Sequence, residues 1–125
     1  MQAVRAFYEL EVYKSSRGLA RSIFLATRAF PPEEKFALTD QIRRSSGSVG
    51  AQIAEAWAKR RYPKHFIAKL TDADGEQLET LHWLNVIEDR SYLAAADLSE
   101  LRSACRQIGR MLGSMIQKAE SFAQG

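Results

Sequence analysis

The number and spacing of the basic residues in this chain indicate that it binds phosphate groups. The candidate residues are Arg43, Arg44, Lys59, Arg60, Arg61, Lys64, Arg102, Arg106 and Arg110. The last three recur every fourth residue, so on a helix they form a ridge along one side. Lysine and arginine neutralise phosphates and release counterions, which gives salt-dependent binding of nucleic acid. These residues therefore predict an interface for RNA or DNA.

The distribution of charge leaves a second interpretation open. The net charge is only +3, and we expect no aromatic ring to lie among these arginines. Residues 1–63 contain 11 Lys and Arg against 6 acids, whereas residues 64–89 contain 2 Lys against 6 acids. The basic faces could equally pair with the acidic third helix of an identical neighbouring subunit. Nucleic-acid binding and purely structural assembly are both consistent with these charges.

Metal, redox and nucleophilic chemistry have no matching pattern in the sequence. His65 and His82 are seventeen residues apart, and the chain contains no HExxH, no pair of cysteines and no Glu-x-x-His repeat of di-metal bundles. Cys105 falls on an apolar helix stripe, where a thiol behaves as a small hydrophobic group. We predict no catalytic residue, no metal, no cofactor and no small-molecule substrate.

Four polar residues fall near the predicted inward sides of two helices, and buried polar groups need hydrogen-bond partners. They are Gln52, Glu55, Asp74 and Gln77. We expect them to form one cross-helix layer that sets the register of the helices. The alternative is a catalytic carboxylate pair of Glu55 and Asp74, which would have to line an open pocket.

Four helices are predicted to position these residues within one domain, residues 1–125. The chain is 46% hydrophobic and 26% charged, which is typical of a globular protein. Prolines occur only at positions 31, 32 and 63, and the stretches between them have the apolar spacing of helices. The predicted helices span about residues 10–29, 32–61, 64–89 and 96–123, after an irregular lead. Long helices with short links predict an all-α, antiparallel up-down-up-down four-helix bundle.

The first and second helices each have a distinctive outer side. On the first, Lys14, Arg17, Arg21 and Arg28 form a basic solvent face. On the second, small residues follow one side at Gly47, Ala51, Ala54 and Ala58. Glycine inside a helix costs about 1 kcal/mol relative to alanine, so unless it is merely tolerated we expect close packing of another helix there. With Gly75 of the third helix, these small residues are the predicted contacts between subunits of an oligomer.

Composition also bears on location. No stretch approaches the about 18 consecutive apolar residues of a transmembrane helix, so we expect no membrane partner. The first residues lack the unbroken apolar run of a secretory signal, and the one cysteine cannot form an internal disulfide. We therefore expect a soluble, cytoplasmic protein.

Six short motifs are distributed along nearly the whole chain. They are F-x-x-L-x-V-Y from residue 7, F-P-x-x-E-x-F-x-L from residue 30, Q-I-R-R-S-S from residue 41, I-A-E from residue 53, A-D-G-E-Q-L-E-T from residue 73 and G-R-M-L-G from residue 109. Together they resemble the four-helix-bundle proteins first noticed as reading frames in intervening sequences of bacterial 23S rRNA genes. Ala56 and Glu76 replace a glycine and a serine that are usual in that family.

This resemblance implies an antiparallel bundle that assembles into a ring, typically a homopentamer, with no established enzymatic activity. Related bundles include the accessory variability determinant proteins of diversity-generating retroelements, which are basic rings that bind nucleic acid and a reverse transcriptase. We therefore predict a bacterial, non-enzymatic oligomeric scaffold that binds structured RNA or a nucleoprotein through basic helix faces. The alternative is a purely structural protein-protein interaction module that binds no nucleic acid.

Overall fold

Five α-helices make up most of the chain in the computed structural model, which describes residues 3–124. They are α1 (Glu11–Ala26), α2 (Asp40–Ala58), α3 (Pro63–Asp89), α4 (Ala95–Gln117) and α5 (Ala119–Ala123). No strand occurs within the described residues, so the predicted all-α class is confirmed, with four long helices and one short helix. Across residues 3–124, every helix is too short or too polar to cross a bilayer.

Each long helix packs against the next one along the chain, and α1 also packs against α4. Between α2 and α3, the hydroxyls of Ser45 and Thr80 are hydrogen-bonded at 2.8 Å, and Lys69 Nζ lies 3.4 Å from Glu55 Oε2. Higher residue numbers on α2 therefore contact lower residue numbers on α3. Both hydroxyls are buried, and each also bonds to a carbonyl of its own helix, Ser45 to Ile42 at 3.3 Å and Thr80 to Glu76 at 2.9 Å, so neither lacks a partner in the core.

The core consists of apolar stripes spaced three and four residues apart on the long helices. Its buried members include Ile23, Leu38, Ile42, Val49, Ile53, Phe66, Leu70, Leu84, Ile87, Cys105, Ile108 and Leu112. Burying one large aliphatic or aromatic side chain contributes about 1.5–3 kcal/mol. The helical spacing also predicts Trp57 in this stripe, but Trp57 is only half-buried, because it lies in the last turn of α2. The ring of Phe122 packs against it, with a centroid distance of 6.4 Å.

The second helix begins later than the predicted residue 32. Pro32–Glu34 forms a 3-10 turn, and Lys35–Thr39 forms a π-helical turn before α2 starts. A π turn carries more residues than an α turn. The helical pattern predicts that Leu38 is buried but not the next residue, Thr39, and both are buried in this wider turn.

The connection between α2 and α3 spans residues 59–62 and is longer than the predicted helix ends suggest. α2 ends at Ala58, three residues early, because Tyr62 precedes a proline and is held in an extended conformation with φ −119° and ψ 91°. The Tyr62 N–H donates to the Lys59 carbonyl at 2.9 Å, which closes a turn between the helices. α3 then begins at Pro63, where the missing N–H of proline costs nothing in a first helical turn.

The first and last helices also end before the predicted boundaries. After α1, the Thr27 hydroxyl donates to the Ile23 carbonyl at 2.8 Å and competes with the hydrogen bonding of a further turn. Lys118 interrupts the predicted last helix between α4 and α5, with φ −101° and ψ 19°. The interruption lets Phe122 of α5 pack on Phe66, with ring centroids 5.2 Å apart.

The lead before α1 is ordered by a carboxylate, although we expect it to be irregular. Glu9 accepts hydrogen bonds from the N–H groups of Arg5 at 2.7 Å and Ala6 at 3.2 Å, and residues 7–9 form a 3-10 turn. Phe7 of this turn is half-buried, and Tyr8 is 61% exposed. The turn therefore anchors the lead through Phe7 and presents Tyr8 to solvent.

A buried carboxylate joins the α1–α2 connection to the α3–α4 connection. Glu34 accepts hydrogen bonds from Arg90 Nη1 at 2.6 and 2.8 Å and from the Tyr92 hydroxyl at 2.7 Å. The hydrogen bond from Tyr92, followed by the bonds from Arg90, lowers the pKa of Glu34 below its ordinary value of 4.5. This link closes one end of the helix arrangement.

Candidate nucleic-acid interface

Two of the predicted phosphate-binding arginines are in ion pairs with carboxylates of α3. The Arg44 guanidinium contacts the carboxylate of Glu76, at 3.0 Å, and that of Glu79. Arg102 Nη2 lies 3.0 Å from Glu88 Oε1. The acidic third helix is therefore paired with arginines of its own chain.

These contacts keep both partners charged at neutral pH. The indole N–H of Trp83, which donates to Glu79 at 3.0 Å, and then Arg44 lower the pKa of Glu79. Arg102 likewise lowers the pKa of Glu88. On the side of the molecule where α3 meets α2 and α4, two arginines thus face three carboxylates.

Two other predicted arginines lie on aromatic rings. Arg43 Cζ is 4.6 Å from the centroid of Phe24, and Arg43 Nε donates to Thr27 Oγ1 at 2.9 Å. Arg60 Cζ is 4.3 Å from the ring centroid of Trp57. A cation–π contact orients a guanidinium without neutralising it. The prediction that no aromatic residue is interleaved among the arginines is therefore wrong.

The remaining five predicted cations are exposed, and none of them is ion-paired with a carboxylate of residues 3–124. They are Lys59, Arg61, Lys64, Arg106 and Arg110. Lys59, Arg61 and Lys64 surround the corner between α2 and α3, and we call these three residues the corner cluster. The other two lie on the outer side of α4, so the predicted ridge of three arginines has one neutralised member, Arg102.

The outer side of α1 carries a further basic surface, which its helical spacing predicts as a solvent face and not as a binding surface. Its exposed members are Lys14, Arg17 and Arg21 of α1, together with Arg28, which lies in the turn after α1 and not on the helix as predicted. These four residues are here called the α1 basic face. Lys14 pairs with Glu11 at 3.6 Å, and the three arginines form no ion pair with a carboxylate in the described part of the chain. Tyr8 lines a depression of about 610 Å³ together with Lys14, Arg17 and Arg21.

Helical periodicity identifies the α1 basic face but not the ring beside it. Tyr8 precedes α1, and it reaches the basic face through the turn in which Phe7 packs edge-on against Tyr13, with centroids 5.0 Å apart. An aromatic ring beside free cations is the usual composition of a surface that binds single-stranded nucleic acid. Only the three-dimensional course of the lead shows this combination.

The predicted subunit contacts on α2 and α3 are mostly open to solvent. Gly47, Ala51, Ala58 and Gly75 are exposed, and Ala54 is half-buried. No described atom outside the local helix lies within 4 Å of a Cβ built on Gly47 or Gly75. The residues at positions 47, 51 and 54 line part of a groove of about 310 Å³ between α1 and α2. Their contact with a second subunit stays a prediction.

Two other glycines provide the close approaches within the chain. A Cβ on Gly50 would lie 3.1 Å from Ser16 Oγ and 3.5 Å from the ring of Tyr13. A Cβ on Gly109 would lie 2.9 Å from Gln77 Nε2. These glycines allow α1 to approach α2 and α3 to approach α4, which explains a helix-weakening residue at each position.

The predicted cross-helix polar layer does not form among the described residues, because the one hydrogen bond between its four members lies within α3. Gln77 is buried, and its Nε2 donates to Asp74 Oδ1 at 3.0 Å. The Oε1 atoms of Gln52 and Gln77 are buried and have no hydrogen-bond partner in the described chain. Glu55 is exposed and pairs with Lys69 instead, because its position on α2 points to the outer edge of the contact with α3. The structure does not bring Glu55 into the layer.

Nucleophilic and metal-binding side chains are separated in the structure. Burial raises the pKa of the Cys105 thiol to about 12, so the reactive thiolate is scarce at neutral pH. His65 and His82 are exposed, and no group of three His, Cys, Asp or Glu residues within residues 3–124 could hold a metal ion. The exposed groups with the clearest chemical character are free cations and aromatic rings.

Comparisons with known proteins agree with this helical architecture. The family model described as 23S rRNA-intervening sequence protein matches residues 8–114. Among solved structures, the chain is similar to a protein of unknown function from the S23 ribosomal protein family of Bacteroides thetaiotaomicron. That similarity has a TM-score of 0.74 and 29% sequence identity, and it covers 85% of this chain and 95% of the other. No curated protein matches the chain.

Proposed function

The chain belongs to the 23S rRNA-intervening sequence protein family, and we propose that it is a non-enzymatic, oligomeric scaffold that binds structured RNA. In this proposal the α1 basic face and the corner cluster contact RNA phosphates. The same surfaces would engage the RNA of a nucleoprotein, such as a reverse transcriptase complex. The proposed location is the bacterial cytoplasm.

One observation carries this proposal, which is the separation of the cations into neutralised and free groups. Arg44 and Arg102 are held by carboxylates of α3. The α1 arginines and the corner cluster are exposed and form no ion pair within residues 3–124. A free cation exchanges only water and counterions for a phosphate, whereas a paired cation must also give up its carboxylate. The free group therefore supports an interface with a polyanion.

We further propose that the long helices form an antiparallel, up-down-up-down bundle, and that several bundles assemble into a ring, with a homopentamer as the expected form. The opposite order of the α2 and α3 contacts supports the first part. The open groove with Gly47, Ala51 and Ala54 supports the second part. A ring would repeat each basic surface around one symmetry axis, which increases avidity for a single RNA.

The structural alternative, in which basic faces pair with acidic faces of neighbouring subunits, has less support. It needs carboxylates of α3 that are available to another chain, and of these only Asp74 and Asp89 form no ion pair within residues 3–124. Glu76, Glu79 and Glu88 are already in contact with arginines of the same chain, and Glu55 is in contact with Lys69. Pairing between subunits would have to replace these contacts without a clear gain in energy.

A salt titration of RNA binding tests the proposed function. Fluorescence anisotropy of a labelled stem-loop RNA is measured at increasing KCl concentrations. The logarithm of the association constant should fall linearly with the logarithm of the salt concentration, by about 0.7–0.9 per phosphate contact. A flat response, or no binding at low salt, would reject phosphate contact as the function.

Light scattering with matched glycine variants tests the ring. Leucine favours a helix more than glycine does, so neither Gly47→Leu nor Gly113→Leu should weaken its helix. Both glycines have open space at the Cβ position, but only Gly47 lines the groove between α1 and α2. We expect an oligomeric mass for the wild type and for Gly113→Leu, and a smaller mass for Gly47→Leu. A monomeric wild type would reject the ring, and an unchanged mass for Gly47→Leu would reject α2 as its interface.

A further inference from the structure

We infer that the corner between α2 and α3 takes up an unpaired nucleotide of the bound RNA, with its base stacked on the ring of Tyr62. This inference rests on the proposed RNA binding and names the part of the RNA that this corner recognises. Structured RNA exposes unpaired bases in loops, bulges and ends, where aromatic side chains can stack on them.

Tyr62 presents an exposed ring on a fixed backbone. Tyr62 is 62% exposed to solvent. Its N–H donates to the Lys59 carbonyl, and its carbonyl accepts from the Phe66 N–H, both at 2.9 Å. Pro63 further restricts its backbone. Because the backbone is already ordered, stacking a base on this ring costs little additional conformational entropy.

The surroundings of the ring suit a base better than a phosphate. His65 stands edge-on to Tyr62, with centroids 6.2 Å apart and an interplanar angle of 85°. Tyr62, Pro63, Lys64, His65 and Glu120 line a depression of about 400 Å³. The Glu120 carboxylate repels a phosphate, but it can accept a hydrogen bond from the exocyclic amino group of a base.

Free cations lie around Tyr62, where they can contact the phosphates on either side of that base. Lys59, Arg61 and Lys64 lie within six consecutive positions around Tyr62, and all three are exposed. Arg60, in the same segment, is oriented on the ring of Trp57. A stacking ring surrounded by cations that track the backbone is the arrangement by which proteins bind unpaired nucleotides.

Another exposed ring provides a matched control. Phe36 is 75% exposed, and it has a single cation over it, Lys35 Nζ at 4.7 Å from the centroid. Two acids, Glu33 and Glu34, lie three and two positions before it in the sequence. Its exposure thus matches that of Tyr62, but it lacks a surrounding cluster of free cations. Truncating Phe36 should leave RNA binding unchanged.

The test compares two RNA probes with the same number of phosphates, a hairpin with an unpaired loop and a blunt, fully paired duplex. Affinities are measured for the wild-type protein and for Tyr62→Ala, Tyr62→Phe and Phe36→Ala. A 2-aminopurine in the loop reports stacking through quenching of its fluorescence. Circular dichroism confirms that each variant is folded, which we expect because both side chains are exposed.

We expect Tyr62→Ala to weaken binding of the hairpin by about 5- to 100-fold and to abolish the quenching, while binding of the duplex changes by less than about twofold. Tyr62→Phe and Phe36→Ala should behave as the wild type. Unchanged hairpin affinity in Tyr62→Ala, or an equal loss for hairpin and duplex, would overturn the stacking inference while the proposed function stands. If the wild type binds neither probe, the proposed function fails and the inference fails with it.

Discussion

Two sides of this molecule carry the same kinds of cation in opposite electrostatic settings. Where α3 meets α2 and α4, Arg44 and Arg102 are bound by carboxylates. On the α1 basic face and in the corner cluster, arginine and lysine are exposed and, apart from Lys14, form no ion pair within residues 3–124. The number of basic residues in a segment therefore does not locate a binding surface, because the position of the acids decides which cations are free.

The two settings also differ in what they contribute to folding. An ion pair at the surface stabilises a protein by only about 0.2–1 kcal/mol, but it occupies both charges. Free cations close together repel each other and slightly destabilise the folded chain. Arg17 and Arg21, one helical turn apart, are in this position. Their arrangement gains energy only when an anion lies over them.

The largest expected effect separates the two sides by RNA affinity. Arg17→Gln with Arg21→Gln removes two free charges, whereas Arg44→Gln with Arg102→Gln removes two paired charges and changes the net charge equally. We expect the first pair to weaken RNA binding by about tenfold or more at low salt and to reduce the salt slope by about 1.5. The second pair should change the affinity by less than about threefold. Equal losses in the two double variants, measured by anisotropy, would mean that only net charge matters.

Lowering the pH should weaken the interactions of the paired carboxylates and so lower the stability of the fold. The folded-state pKa values of Glu34, Glu79 and Glu88 are all lowered from 4.5. Their ionised forms therefore stabilise the fold above that value, and this contribution is lost as the pH falls through the lower folded-state pKa values. Urea unfolding between about pH 7 and about pH 3 should show falling stability.

Glu34→Gln isolates one part of this acid effect. It removes the ionisable partner of Tyr92 and Arg90, so stability at neutral pH should fall and its dependence on pH below 4.5 should become weaker. A pH dependence identical to that of the wild type would show that Glu34 does not contribute through its charge.

The smallest expected effect is on stability at neutral pH. Arg44→Gln breaks partly exposed ion pairs and should lower the free energy of unfolding by up to about 1 kcal/mol. Arg17→Gln breaks no ion pair within residues 3–124 and should change it by less than about 0.5 kcal/mol. Urea unfolding at low and high salt measures both values, and the Arg44 effect should shrink as salt screens it. A larger loss for Arg17→Gln would show that the α1 basic face has a structural role.

Local pattern was sufficient for the helical class and for most buried positions. Leu38, Ile42, Val49 and Ile53 recur at helical intervals, and all four are fully buried. The corner at Pro63 follows from proline chemistry in the same way. Helix periodicity and proline geometry act over a few residues, so they can be recognised without the fold.

Several features of the fold depend on contacts between distant residues and were not predicted. The bond from Arg90 to Glu34 joins positions 56 residues apart, and α4 is interrupted at Lys118 where Phe122 packs on Phe66. No local pattern specifies which partner such a side chain will meet. The last predicted helix therefore divides at a place where a tertiary contact competes with one more helical turn.

The candidate site divides in the same way between sequence and tertiary structure. The sequence alone determined which residues are cations and that three of them, Lys14, Arg17 and Arg21, share one side of α1, because both are properties of composition and helical spacing. It did not distinguish Arg44 from Arg61, since the carboxylates that bind Arg44 lie 32 and 35 residues away. Whether an arginine is free or neutralised depends on helix packing, which brings distant charges within a few ångströms.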